Sequence, residues 1–336
     1  MKVDLTLQGA PGDWDLAKDG ERRGYDGVWL PETTHDPFNL LAIAGNLTER
    51  VTLGTAIAVA FGRNPMSLAM TGNDLQLYTK GRFILGVGSQ VRAHITKRFS
   101  MPWSAPAERM HEFIRAIRAI WHTWETGESL RFVGDFYTHT LMTPMFNPGP
   151  NPYGNPPIVL AGVGPKMTEV AGELADGYFV HAFTTERYLR EVTVPTLLAG
   201  RQKVGKTDLD GYDVIAIPFV VTGDTAEQVA NADAAMRKQI AFYASTPAYR
   251  TVLELHGWGE LGQELNVLSK RGEWDEMGRR IPDEVLAEFA VIASPKDVAG
   301  EIHRRFGDVF TRASIYAPYS MPEGFWDPIV RELREL

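Results

Sequence analysis

The sequence predicts an α/β chain folded as a (β/α)8 barrel with insertions, a TIM barrel, and three observations carry that reading. Apolar runs of strand length alternate with helical patterns along the chain. Two of those runs, LGTAIAVAFGRNP at residues 53–65 and GRFILGVGSQ at residues 81–90, break at their C-terminal ends into small and polar residues, which lets a ligand approach the backbone. Between them, NPMSLAMTGNDLQLYTKG has helical spacing at Leu68, Leu75 and Tyr78, with Gly81 placed to end the helix. The segment is a βαβ unit.

Taken in order, residues 2–7 read as strand one and 14–23 as the first helix, stopped at Gly24. GVWLPE at 27–32 is strand two, and Asp36-Pro37 starts a helix over about 38–48. Strands three and four are the two runs above. The following helix is the plainest in the chain, because Met110, Phe113, Ile114, Ile117, Ile120, Trp121 and Trp124 form one apolar face; Arg109 is expected on its polar face, either in an ion pair with a neighbouring acid or in a ligand role. Residues 127–155, rich in Gly, Pro and Asn, read as an excursion before strand five, PPIVLAG. Strand six is 177–182, strand seven VIAIPFVVTG at 214–223, and strand eight ASIYAPY at 313–319, with a second excursion at about 243–285. A single domain over 1–336 accommodates all of this, and such a barrel gathers its active-site groups at the C-terminal ends of its strands.

Composition narrows the function. A net charge of -8 and a pI near 5.6 argue against a nucleic-acid partner, which needs a basic face. Without cysteine there are no disulfides, thiolate nucleophiles or Cys-type zinc sites. Eight histidines occur without an HExxH or another paired ligand spacing, so no metal is expected. No apolar stretch reaches membrane-spanning length and Met1-Lys2-Val3 leads straight into strand one, so a cytoplasmic protein acting on a small-molecule substrate is expected.

GYDGVWLPETTHDPF (24–38), the two runs at 53–65 and 81–90, the helix bearing Arg109-Met110, and PPIVLAGVGPKMTEVAGELADGYF (156–179) together resemble the bacterial luciferase-like superfamily, specifically its coenzyme F420-dependent oxidoreductases. The resemblance covers nearly the whole chain and implies hydride transfer between reduced deazaflavin and a small organic substrate. An FMN-dependent luciferase-like monooxygenase is the alternative, and a catalytically silent flavin-binding protein is a third reading from another class. The resemblance places a non-proline cis peptide at Ala56-Ile57, forming a bulge behind the cofactor ring, and puts Glu32 near that ring or its polyol chain. Arg63 is placed at the cofactor tail, and Gly88, Ser89 and Gln90 at the polar edge of the ring system.

Neither GxG pair, Gly86-Val87-Gly88 nor Gly162-Val163-Gly164, has the third glycine of a dinucleotide fingerprint. The run Ala161, Gly162, Gly164, Pro165, Lys166, Met167 instead reads as an anion site at a strand-to-helix junction, with backbone N–H groups and Lys166 facing a phosphate or phosphodiester. His35, His94 and His181 follow strand ends and are the candidate proton carriers, while Phe61, Trp103 and Phe183 are candidate pocket walls. The sugar-phosphate dehydrogenases of the F420 group carry an acid where this chain has Val91 and a histidine where it has Thr33, so oxidation of a sugar phosphate is not expected. The excursion at 245–266 is expected to shape the pocket. Luciferase-like barrels pair through helices beside strands two and three, and a homodimer through the apolar helix at 38–48 is expected.

Overall fold

The computed structural model describes all residues, 1–336. In chain order its elements are β1 (Lys2–Thr6), α1 (Asp13–Arg23), β2 (Gly27–Leu30), α2 (Pro37–Leu47), β3 (Thr52–Thr55), β4 (Ala58–Val59), α3 (Pro65–Tyr78), β5 (Phe83–Gly88), α4 (Arg92–Lys97) and α5 (Pro106–Thr126). The hairpin β6 (Phe132–Val133) and β7 (Thr138–His139) leads to β8 (Ile158–Ala161), α6 (Pro165–Leu174), β9 (Gly177–Val180), α7 (Glu186–Tyr188) and α8 (Val194–Gln202). The remainder comprises β10 (Asp213–Ala216), β11 (Phe219–Val221), α9 (Ala226–Ala244), α10 (Arg250–Leu255), α11 (Gly259–Lys270), α12 (Trp274–Arg279), α13 (Asp283–Phe289), β12 (Ala290–Ile292), α14 (Val298–Phe306), β13 (Arg312–Ala313) and α15 (Asp327–Glu335).

The parallel sheet has the order β3-β2-β1-β13-β10-β9-β8-β5-β4, and pairing of β3 with β5 closes it. Since β3 and β4 are one interrupted strand, this is an eight-position parallel barrel with helices between its strands, as the sequence predicts. Two compact units compose the chain: Leu5–Phe179 with Thr196–Asp213, and Met1–Asp4 with Val180–Pro195 and Val214–Leu336.

In the first unit, β2 and β5 are buried along their whole length, as fits a sheet covered on both faces. Its helices start where the sequence marks them. Asp36 and Asn64 each accept the amide of the residue two positions on, from Phe38 at 2.9 Å and Met66 at 2.8 Å, with Pro37 and Pro65 at the first helical position. Gly24 and Gly127 take left-handed conformations that end α1 and α5. The strand 53–65 predicted as one run breaks at Ala56-Ile57, a cis peptide, and resumes only for two residues.

The second unit departs further from the sequence reading. Strand seven splits at Ile217-Pro218: β10 lies in the barrel and β11 pairs with β12 outside it. Pro218 has no amide to give to a ladder, and its carbonyl accepts from Tyr316 at 2.9 Å. Strand eight is ordered as a strand only over Arg312–Ala313, its remainder joined to β11 by one bridge at Tyr316. The excursion at 243–285 is helical, its α10 to α13 packing around Phe219, Met236, Leu253 and Leu265. Arg312 and Asp4, both essentially inaccessible, form a two-pronged ion pair at 2.7 and 2.8 Å.

Candidate active site

In the first unit, four neighbouring strand ends align in register. Leu30 of β2 lies opposite Thr55, Val59 of β4 opposite Gly88, and Gly88 of β5 opposite Ala161 of β8. The bulge is tied to β2 on both sides: Ala56 N–H donates to Leu30 O at 2.9 Å, and Glu32 N–H to Ile57 O at 3.3 Å. A Cβ on Gly88 would come within 2.9 Å of the Ile57 side chain, so glycine lets the bulge and this strand end close on each other without moving Ile57. The structure therefore brings Ala56, Ile57, Gly88 and Ala161 to one place.

Glu32 and Arg63 form the charged part of this site. The Glu32 carboxylate accepts the Val59 amide at 2.8 Å and pairs with one guanidinium nitrogen of Arg63, whose other nitrogen reaches Asp36 at 2.8 Å. Glu32's side chain is 6% exposed and Arg63's 18%, so this fork is a partly desolvated pair rather than a mobile surface contact. Asp36 serves both as the α2 cap and as the outer arm of the fork. Its sequence signature, Asp-Pro, announces only the first role; a partner 27 residues away leaves no local pattern.

Ser89 and Gln90 follow β5, partly buried. Gln90 has φ +58°, the left-handed region where a residue with a Cβ is uncommon. Its side-chain oxygen accepts Val91 N–H at 3.0 Å, and Ser89 Oγ donates to Gln90 O at 3.1 Å.

The β8 to α6 junction is built by two hydroxyls. Tyr178 OH donates to Gly162 O, Thr168 Oγ lies 3.0 Å from that phenol, and Thr168 Oγ donates to Gly164 O at 3.1 Å. A Cβ on Gly162 would come within 2.6 Å of Met167, which is buried, whereas one on Gly164 would meet open space. Gly164 is the N-cap of α6 and has no side chain to offer its first-turn amides. Pro165 and Lys166 are exposed, and the Lys166 ammonium lies 3.6 Å from Glu108 on α5, in a groove of about 840 Å³ between α5, α6 and the hairpin.

His35 lies exposed in the β2 to α2 loop and His94 exposed on α4. His181 belongs to the second unit, where it follows β9. Its Nδ1 accepts Phe183 N–H at 3.0 Å, and burial lowers its pKa to about 4. Phe183 is 2% exposed and stacks on Phe289, so it is core rather than wall.

Arg109 overturns its sequence reading. It is 5% exposed and has no acidic partner; it donates to Tyr137 OH at 2.7 Å and Pro102 O at 2.6 Å, with its guanidinium 4.5 Å from the Phe61 ring centre. The cause is the hairpin, which covers a helix face that periodicity assigns to solvent. Glu112 holds the hairpin down by accepting the amides of Asp135 and Phe136 at 2.8 Å and Tyr137 at 2.5 Å. Trp103, edge-on to Phe61 at 5.8 Å, is partly buried beside them. No cluster of His, Asp and Glu is arranged to hold a metal, and no helix is long and apolar enough to cross a membrane.

Sequence and fold both match known proteins. The sequence fits the profile of luciferase-like monooxygenases over residues 13–312. The chain belongs to the luciferase-like monooxygenase family. An uncharacterized protein of Mycobacterium tuberculosis is 53% identical over 298 residues, 89% of this chain and 87% of that one. The 5,10-methylenetetrahydromethanopterin reductase of Archaeoglobus fulgidus is 26% identical over 291 residues, 84% and 82% of the two chains. Among solved structures, the coenzyme F420-dependent tetrahydromethanopterin reductase of Methanopyrus kandleri superposes with a TM-score of 0.78 over 99% of this chain and 96% of its own, at 18% identity. An F420-dependent glucose-6-phosphate dehydrogenase of Intrasporangium calvum is 26% identical over 313 residues, 89% of this chain and 86% of that one.

Proposed function

We propose that this luciferase-like protein binds reduced coenzyme F420 and passes a hydride between the deazaflavin and a small organic substrate. The observation that carries the reading is the donor set at the ends of β2, β4, β5 and β8: an open, uncapped helix start at Gly164 beside a cradle formed by Ile57, Gly88 and Ala161. These residues fit a planar, anionic group. The α6 amides favour negative charge at Gly164 to Met167, Ser89 and Gln90 offer polar atoms at the rim, and Ile57 gives an apolar backing. When bound, the deazaflavin supplies the hydride-carrying carbon. The protein's part is to position: Arg63 holds Glu32 in one orientation, and the hydrogen bonds of Tyr178 and Thr168 hold the Gly162 to Gly164 backbone open. His35, His94 and His181 are the candidates for carrying the accompanying proton.

The test is a titration of the purified protein with F420 and FMN side by side, read by cofactor absorbance. Saturable F420 binding, at least tenfold tighter than FMN, is expected. FMN binding without F420 binding would overturn the reading in favour of an FMN-dependent monooxygenase, and binding of either without turnover on a carbonyl panel would leave a flavin-binding protein.

The same reading places the protein in the cytoplasm as a homodimer. What supports the dimer is a surface nearly without charge: α2 carries no charged residue and α3 only Asp74, while Ile43, Met70, Leu77 and Tyr78 are each more than two-fifths exposed. Light scattering at micromolar concentration is expected to return twice the 37.4 kDa chain mass; a monomer mass removes the proposal.

A further inference from the structure

The second unit contains an aromatic wall assembled from the C-terminal ends of three barrel strands and the helical excursion. His181 follows β9, Ile217 follows β10, and Tyr316 lies three residues past β13. The excursion adds Tyr243, from the end of α9, and Tyr249, just before α10. The His181 ring stacks on Tyr249, centres 4.5 Å apart at 29°, and meets Tyr243 edge-on at 4.9 Å. Behind the wall, in the core, Phe183 lies 6.0 Å from Tyr249, and Phe219 lies 6.2 Å from Tyr243 and 5.2 Å from Tyr316.

Two polar groups on this wall differ from the rest. The Phe183 amide occupies Nδ1 of His181 as an acceptor, which puts the ring proton on Nε2. No protein acceptor takes that Nε2–H, and the Tyr249 hydroxyl has no hydrogen-bond partner either, whereas the neighbouring Tyr319 hydroxyl donates to Val220 O at 2.9 Å. No salt bridge or hydrogen bond from a charged side chain reaches His181 or Tyr249, and burial holds the imidazole pKa down and the phenol pKa up. Neither atom is among the sealed, unmatched polar atoms of the chain, so both donors open at the surface of the wall, where a ligand can meet them.

We propose that His181 Nε2–H and the Tyr249 hydroxyl bind the oxygen of a flat, uncharged, largely apolar carbonyl compound, and that this is the substrate class of the chain. The inference rests on the F420 oxidoreductase reading. Two neutral donors suit a carbonyl oxygen, and aromatic faces suit a planar apolar body. A phosphate or carboxylate on the substrate would find no cation on this wall and would be desolvated without compensation, so anionic analogues are rejected. His181 and Tyr249 hold and orient the carbonyl on the wall of the second unit.

The test uses two probes, acetophenone labelled with 13C at its carbonyl and the anionic analogue 4-acetylbenzoate, titrated by NMR into the protein with and without F420. Acetophenone is expected to bind at least tenfold more tightly than 4-acetylbenzoate, with a downfield carbonyl shift that reports the donated hydrogen bonds. His181→Phe should abolish most of that shift and weaken binding five- to tenfold, His181→Gln should restore part of it, and Tyr249→Phe, which deletes one hydroxyl, should reduce it. Equal binding of the two probes, or an unchanged carbonyl shift in folded His181→Phe and Tyr249→Phe, overturns the proposal. Failure of F420 to bind is read separately in the cofactor titration, and the probe selectivity of the cofactor-free protein still decides for or against the wall.

Discussion

The two units handle polar groups in opposite ways. In the first, Glu32, Arg63 and Asp36 spend their hydrogen bonds on one another, on the Val59 amide and on the α2 cap. In the second, His181 uses one nitrogen on the chain and leaves the other to whatever meets it, and Tyr249 leaves its hydroxyl unspent. The difference teaches where stability and recognition reside. A saturated charged fork fixes backbone geometry at the strand ends, and removing any member leaves another uncompensated. A neutral donor on an aromatic ring contributes little to the fold and is kept available for a ligand.

The largest effect should come from breaking the saturated side. Glu32→Ala removes the main partner of Arg63 and orphans the Val59 amide, at a cost of about 3 kcal/mol in unfolding free energy. Glu32→Gln keeps an acceptor for Val59 and loses only the charge, so it should cost less than half as much. Urea denaturation of the three proteins checks this ordering. Equal stability of Glu32→Ala and wild type would mean that the fork does not hold the strand ends.

The unsaturated side should show itself through pH. Burial depresses the His181 pKa to about 4, against about 6.5 for an exposed histidine. Between those values the unfolded chain binds a proton at this residue and the folded chain does not, so the contribution of His181 is complete above pH 6.5 and is lost as pH falls toward 4. Relative to His181→Gln, the wild type should lose about 2 kcal/mol between pH 7 and pH 5. Parallel pH dependences for the two proteins would show that the imidazole is as solvated folded as unfolded.

How much of this was legible in the sequence follows from the range of each interaction. Barrel, strand ends, the helix start at Asp36-Pro37 and the glycine stop at Gly24 are local signals, and the structure keeps them. Pro218 was equally local, yet the apolar run around it reads as one strand because periodicity has no way to weigh a missing amide against seven apolar neighbours. Arg109 was misread because its helix face is covered by a hairpin that begins more than twenty residues later. Lys166 stands in the predicted anion motif, but its ammonium lies next to Glu108 on another helix. Tyr249, within the 245–266 excursion, gained a distinct position only when helical packing stacked it on His181. The local half of the candidate site was readable; the pairings that set its chemistry are long-range.

The smallest effect sharpens the comparison most, because it moves one position from unsaturated to saturated. Gly164 caps α6 with extended backbone, φ -104° and ψ 153°, and a Cβ there meets nothing within 4 Å. Gly164→Ser therefore fits without strain, and its hydroxyl can accept a first-turn amide, a gain of about 0.5 kcal/mol in stability. If those amides serve an anionic cofactor, the serine competes for the same donors and adds bulk where the anion lies, so F420 affinity should fall severalfold while thermal stability rises slightly. Gly162→Ser is the control, since its Cβ collides with Met167 and should lower stability instead. Stability gained at Gly164 with cofactor affinity unchanged would assign the open amides to solvent and take the β8 to α6 junction out of the binding site.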